Sequence, residues 1–227
     1  MKLGVVTGLK REAACLPVGS QPDGLLVLCS GADSDRAEQH ARRLLDQGCR
    51  ALVSFGLAGG LAEELSAGDL VIPATVVTSD GSSYAPASNW RTRLFEVLPK
   101  NGMVSDGKLF GSDALIPGAA EKSALHSTTG AVAVDMESHR VARVAAEAGV
   151  PFLCLRAISD DASAALPDWV AGTVDADGST RYSTVLARVL RNPKEIGRLI
   201  RLSRDSEAAF ATLRRVAGLA GPLLRFA

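Results

Sequence analysis

Aromatic residues are scarce in this chain, at only 4% of 227 positions. Single-stranded nucleic acid is held by stacking its bases on aromatic platforms, so a binder of that kind is excluded. Net charge is also missing, since 25 Lys and Arg balance 25 Asp and Glu. A neutral molecule has no overall field to gather a polyanion, and nucleic acid is set aside as a partner. The four cysteines, Cys15, Cys29, Cys49 and Cys154, form no CxxC pair. They read as buried thiols of a reducing cytosol, with neither disulfides nor a metal site. No apolar run reaches the roughly 18 residues of a spanning helix. Lys10-Arg11-Glu12 interrupts the first apolar run and breaks any signal-peptide core. The G-x-G-x-x-G fingerprint is missing, which argues against a small NAD-binding oxidoreductase.

Apolar residues, by contrast, make up 47% of the chain, enough for one substantial core. Residues 1–227 read as a single domain. Strand-like runs over Lys2–Thr7, Leu25–Cys29, Cys49–Phe55, Asp69–Val77, Ala131–Val134 and Phe152–Ile158 alternate with helix-like segments over Ser34–Gln47, Asn89–Leu98 and Ser138–Ala148. Such alternation predicts an α/β sheet with helices on its faces. Pro73 inside Asp69–Val77 predicts an edge or a bulge. A helical tail over about 182–227 follows, as helices Tyr182–Leu190 and Pro193–Ala217. From Arg188 onward there are nine Lys and Arg against three Asp and Glu. A basic amphipathic helix suits either packing on the sheet with a solvated Arg face or docking on an anionic membrane surface.

Four segments carry residues with chemistry, each at the end of a strand, where α/β sheets bind ligands. Thr7–Glu12 offers a free backbone at Gly8, cations for phosphate at Lys10 and Arg11, and a base at Glu12; a helix start with solvated charges is the alternative. Ser54–Gly60 is rich in small residues and reads as a ligand loop, with Ala58 and Gly59 as substrate-binding candidates, or as a plain tight turn. In Val134-Asp135-Met136-Glu137-Ser138, Glu137 lies near a helix N-terminus whose dipole favours its ionised form. An ionised carboxylate can accept from two neighbouring sugar hydroxyls, and Met136 can pack beneath the sugar. Capping of the helix by Asp135 is the alternative. In Arg156-Ala157-Ile158-Ser159-Asp160, a charge inside an apolar strand needs a carboxylate partner or a ligand. Asp160 can protonate a leaving group if burial raises its pKa, or merely cap a turn.

These segments, in this order, resemble the nucleoside phosphorylase and nucleosidase superfamily that includes purine nucleoside phosphorylases and methylthioadenosine/S-adenosylhomocysteine nucleosidases. Ala58-Gly59-Gly60, Gly68-Asp69, Val134-Asp135-Met136-Glu137 and Arg156-Ala157-Ile158-Ser159-Asp160 match its successive motifs. The resemblance implies a three-layer α/β/α domain around a mixed, partly barrel-like sheet. It implies that Glu137 binds the ribose hydroxyls, that Asp160 donates a proton toward purine N7, and that Glu12 activates water in a nucleosidase. Ser159 and Arg156 would support the substrate, with Leu115 and Ile116 against the base. Leu57 stands where the nucleosidases carry a serine, and Leu115 where they carry an aromatic. Val6–Ala13, Ser54–Leu61, Val134–His139 and the Arg-rich tail also resemble the hopanoid-associated phosphorylases. That likeness implies release of adenine from adenosylhopane by phosphate, held by Gly8, Lys10 and Arg11. No cofactor beyond inorganic phosphate is implied. The family likeness implies a homo-oligomer acting on a small nucleoside. The expected location is the cytoplasm, with the tail at the inner face of the membrane if it docks there.

Overall fold

A computed structural model describes residues 2–17, 24–99, 104–165, 174–175, 177–179 and 196–226. Its elements run β1 (Lys2–Thr7), α1 (Lys10–Ala13), β2 (Leu25–Cys29), α2 (Ser34–Asp46), β3 (Cys49–Gly60), β4 (Leu70–Val71), β5 (Thr75–Val77), β6 (Ser83–Tyr84), α3 (Ser88–Val97), β7 (Val104–Ser105), β8 (Lys108–Gly111), α4 (Ala119–Thr129), β9 (Ala131–Asp135), α5 (Ser138–Ala148), β10 (Phe152–Asp160) and α6 (Ile196–Ala220). All the strands join one ten-stranded mixed sheet.

The site depends on β3, the longest strand at 12 residues. Its first half pairs in parallel with β1, as far as Val6 opposite Ser54. Its last two residues pair antiparallel with β9, Gly59 opposite Val134 and Gly60 opposite Ala133. Strands β1 and β9 therefore run toward each other along one edge of β3, and neither pairs with residues 55–58. Along the other edge β10 stays parallel, from Phe152 opposite Leu52 to Asp160 opposite Gly59. The gap leaves backbone groups of β3 without ladder partners, and each must find another. It is also a topological switch point, where open α/β sheets hold ligands.

Both faces of the sheet are covered, so its central strands are apolar on both sides. Side chains alternate across a strand. Val5, Val53, Phe55, Leu153, Leu155 and Ala157 enter one core with Trp90 and Leu94 of α3 and Phe210, Leu213 and Val216 of α6. Val6, Leu52, Cys154 and Ile158 enter the other with Ala37, Ala41 and Leu44 of α2 and Val141, Ala142 and Ala145 of α5. Each large apolar side chain buried in this way contributes about 1.5–3 kcal/mol. Arg156 shares the parity of Cys154, so the alternation turns it toward α5.

Several expectations need correction. Ser54–Gly60 is neither a loop nor a turn; it is the second half of β3, and its small residues leave room for the acids that pack on it. Pro73 separates β4 from β5, because proline has no N–H to continue a ladder. Helix α4 was not anticipated from the sequence. The segment Tyr182–Leu190 lies outside the described residues. Where Pro193–Ala217 was expected, α6 spans Ile196–Ala220. Its apolar face, with Ala209, Phe210, Leu213 and Ala217, is buried on the sheet. That face is therefore used by the fold, while Ile200 and Leu219 of the same helix are exposed. Among the described residues no helix is long and apolar enough to cross one.

Candidate active site

A cavity of about 250 Å³ opens at the gap beside β3. The end of β1 brings Gly8, Leu9 and Glu12 to it, and β3 brings Leu57, Ala58 and Gly59. Met136 and Glu137 come from the junction of β9 and α5, and Ser159 and Asp160 from the end of β10. Leu115 and Ile116, after β8, complete an apolar wall. Thus all three predicted acids, Glu12, Glu137 and Asp160, meet in one cavity.

Glu12 is buried, at 3% exposure. Its Oε2 accepts from the N–H groups of Gly8 (2.7 Å) and Leu9 (2.8 Å), and its Oε1 from the N–H of Leu57 (2.8 Å). The last donor is one that the gap in the sheet set free. Leu57 thus serves through its backbone. Burial raises the Glu12 pKa above its ordinary value, while Arg156 and the three N–H groups oppose the rise.

Beneath the acids lies Arg156, fully buried. Its Nη2 pairs with Asp135 Oδ2 and donates to Ser54 Oγ (2.5 Å), Ser138 Oγ (3.1 Å) and Glu137 Oε2 (3.4 Å). Asp135 Oδ2 also accepts from Ser138 N (3.0 Å) and Ser138 Oγ (2.6 Å), which fixes the start of α5. Burial of ions is tolerated only when such partners are present. A Cβ on Gly56 would run into Arg156 Nη1 and come within 2.6 Å of the Glu12 carboxyl carbon. Glycine is therefore required there by close approach. Cys154, beside Ser138, is pushed up to about 12 by burial and is inert.

Glu137 departs from the expected ionised state. Burial, reinforced by the nearby charges of Asp135 and Glu12, lifts its pKa from 4.5 to about 8 against the pull of Arg156. The helix dipole does not prevail, because α5 ends on a carboxyl that has left water. Glu12 and Glu137 both approach Gly8, whose added Cβ would lie 2.8 Å from Glu137 Oε1 and 3.5 Å from Glu12 Oε2. Three N–H donors favour the charge on Glu12 against its burial, whereas at Glu137 the rise is opposed chiefly by Arg156.

Across the cavity, Asp160 is held at both oxygens. Ser159 Oγ donates to Oδ1 (2.7 Å) and Lys122 Nζ to Oδ2 (2.5 Å). The Lys122 side chain is only 1% exposed. This lysine could not be read from the sequence, because α4 has no clear apolar face from which to read a buried position.

Three predicted residues do not line the cavity. Lys10 is exposed and pairs with Asp177 (2.6 Å), and Arg11 is exposed and pairs with Glu207 (2.5 Å). Arg11 also lies over the ring of Phe210, 4.2 Å from its centre, so it joins α1 to α6. Arg156 stands behind the wall, supporting carboxylates from beneath. The helical turn Lys10–Ala13 has one buried residue, Glu12, and so turns both cations outward.

A long central strand that changes partners around a buried acidic cavity is the class of architecture defined here. The chain belongs to the phosphorylase superfamily, whose sequence model matches residues 23–191. The 5'-methylthioadenosine/S-adenosylhomocysteine nucleosidase of Mycobacterium bovis is 28% identical to it over 205 residues, spanning 71% of this chain and 80% of its own length. The enzyme of the same name from Shewanella halifaxensis is 29% identical over 135 residues, 49% of this chain and 57% of its own. Among solved structures, native futalosine hydrolase of Helicobacter pylori matches with a TM-score of 0.72 at 17% identity, covering 96% of both chains. Helicobacter pylori 5'-methylthioadenosine/S-adenosyl homocysteine nucleosidase, complexed with a substituted pyrrolidinol, matches at 0.68 and 17%, covering 96% of this chain and 98% of the other. At that identity the structural likeness is one of fold.

Proposed function

We propose that this protein cleaves the N-glycosidic bond of a 5′-substituted adenosine, releasing adenine, with water as the nucleophile. The observation that carries the reading is the meeting of Glu12, Glu137 and Asp160 in one cavity. The names of the curated relatives supply the base. Breaking the C1′–N bond builds positive charge on the sugar and negative charge on the base, with an oxocarbenium-like transition state. Glu137 holds the ribose hydroxyls. Glu12, whose ionised form three N–H groups favour, takes a proton from the attacking water. Asp160 neutralises the departing base, a contribution of roughly 10² to 10⁴ in rate.

Water is favoured over phosphate for an electrostatic reason. The N–H groups of Gly8 and Leu9, which would cradle a phosphate, already donate to Glu12. Lys10 and Arg11 turn outward. A phosphate dianion in the cavity would face carboxylates with no cation among the described residues of the wall. The resemblance to hopanoid-associated phosphorylases keeps adenosylhopane as a substrate to compare with methylthioadenosine. The apolar wall of Leu9, Leu57, Leu115, Ile116 and Met136 suits an apolar 5′ group. The test is product analysis with and without phosphate. The free pentose and an unchanged rate are expected. A ribose 1-phosphate product would reinstate phosphorolysis, and no adenine release from any nucleoside would end the proposal.

A further inference from the structure

Helix α4 buries one residue, and that residue is a lysine. Ala120 and Ala124 on the same helix are exposed. The arrangement inverts the ordinary preference, because removing an ammonium from water forfeits a large hydration energy. Lys122 does not line the cavity. Its Nζ donates to Asp160 Oδ2 (2.5 Å) and to the carbonyl of Asp161 (2.8 Å). Arg201 is committed to the carboxylate of Asp161 (2.7 Å). Lys122 is thus the direct ionic partner of Asp160, reaching it from behind the wall.

Asp160 accepts a hydrogen bond at each oxygen, from Ser159 Oγ and Lys122 Nζ, so a proton it passes on must be supplied by a donor beside it. We propose that Lys122 is a positioning residue for Asp160 and the source of the proton that Asp160 delivers. The proposal rests on glycosidic cleavage as read above. A proton crosses from Nζ to Asp160, leaving a neutral amine beside a neutral carboxyl. It passes on to a base nitrogen as the C1′–N bond breaks, and the bonding electrons leave with the base. Asp160 is again a carboxylate, and solvent returns a proton to Lys122 after the products depart. The Ser159 contact holds the carboxyl plane through both transfers.

The test compares Lys122→Met with the unmodified protein on two substrates. One is an adenine nucleoside, whose base needs a proton to leave. The other is 4-nitrophenyl β-ribofuranoside, whose leaving group departs as a stable anion. Turnover on the nucleoside is expected to fall about a hundredfold, and on the nitrophenyl compound by less than a tenth of that factor. Equal losses on both substrates would mean a merely structural role and overturn the proposal, as would no loss on the nucleoside. If Lys122→Met does not melt cooperatively, the comparison moves to Asp160→Asn with and without Lys122→Met, where both charges are gone. Turnover within about threefold is expected there, because the relay is already broken. A further tenfold drop would refute action through Asp160. Failure of the unmodified protein to release adenine defeats the proposed function and this proposal together; an active protein indifferent to Lys122→Met defeats this one alone.

Discussion

Replacing Gly56 with alanine adds one methyl group at the most crowded point of the site. Gly56 lies in β3 with no positive φ, so alanine fits the backbone there and the effect is purely steric. The new Cβ would sit 2.6 Å from Glu12 Cδ and Oε1, where ordinary contact begins at 3.4 Å. Arg156, whose Nη1 the Cβ would also meet, is anchored through Nη2 by Asp135, Ser54 and Ser138. Glu12 must then move by about 0.8 Å, which stretches the bond from Leu57 N–H, now 2.8 Å, beyond hydrogen-bond range. Overpacking costs about 1–3 kcal/mol, and weakening a hydrogen bond to a charged group adds about 1–2 kcal/mol. For a domain of this size that lowers Tm by roughly 4–20 °C. Displacing the base by close to an ångström lowers turnover about a hundredfold. Calorimetry and an adenine-release assay read the two effects. Gly218→Ala is the control: its Cβ meets nothing within 4 Å, and it is expected to stabilise α6 by about 0.5–1 kcal/mol. If Gly56→Ala keeps both its Tm and its turnover, the crowding of Glu12 against Arg156 is not what fixes the base.

Glu12→Gln sets an amide N–H₂ against either Leu57 N–H or the Gly8 and Leu9 pair; turnover is expected to drop at least about a hundredfold with a lower Tm, and unaltered hydrolysis would remove Glu12 as the base. Glu137 binds its proton up to about pH 8 in the folded state, against 4.5 ordinarily, so between those values the folded chain holds more protons and stability falls as pH rises. Glu137→Gln removes that loss, and its Tm relative to the unmodified protein should climb from pH 5 to pH 9; a difference that stays flat would contradict the buried, protonated carboxyl. Arg156→Met strips the partner from buried Asp135 and is expected to destabilise by about 3–5 kcal/mol in chemical denaturation. Adding Asp135→Asn should recover more than half of that loss; no recovery would argue against the ion pair as its cause.

Much of the fold was legible because its central strands are apolar and α2 and α5 each carry a single apolar stripe. Ser138–Ala148 shows this: its alternating burial and its stop at Gly149, with φ 64°, follow from local rules. Local rules failed at Ser54–Gly60. A run of small residues looks the same in a turn and in a strand crowded by its neighbours, and only the pairing of β10 along that edge distinguishes the two. The acids Glu12, Glu137 and Asp160 were legible as charges at strand ends. Lys10 and Arg11 were misjudged because the side of a four-residue helix that faces inward depends on what packs against it, here Phe210 of α6.

The sequence alone determined which segments become strands and helices and which residue types are on hand for acid and base chemistry, since these follow from side-chain period, turn residues and functional groups. The tertiary structure decided where the protons reside and which cation serves which acid. Lys122 reaches Asp160 across 38 positions of chain, and Glu12 takes an N–H from a residue 45 positions away. Proton affinity depends on burial and on neighbours a few ångströms distant. Those neighbours are assembled only when β1 and β9 meet end to end along β3.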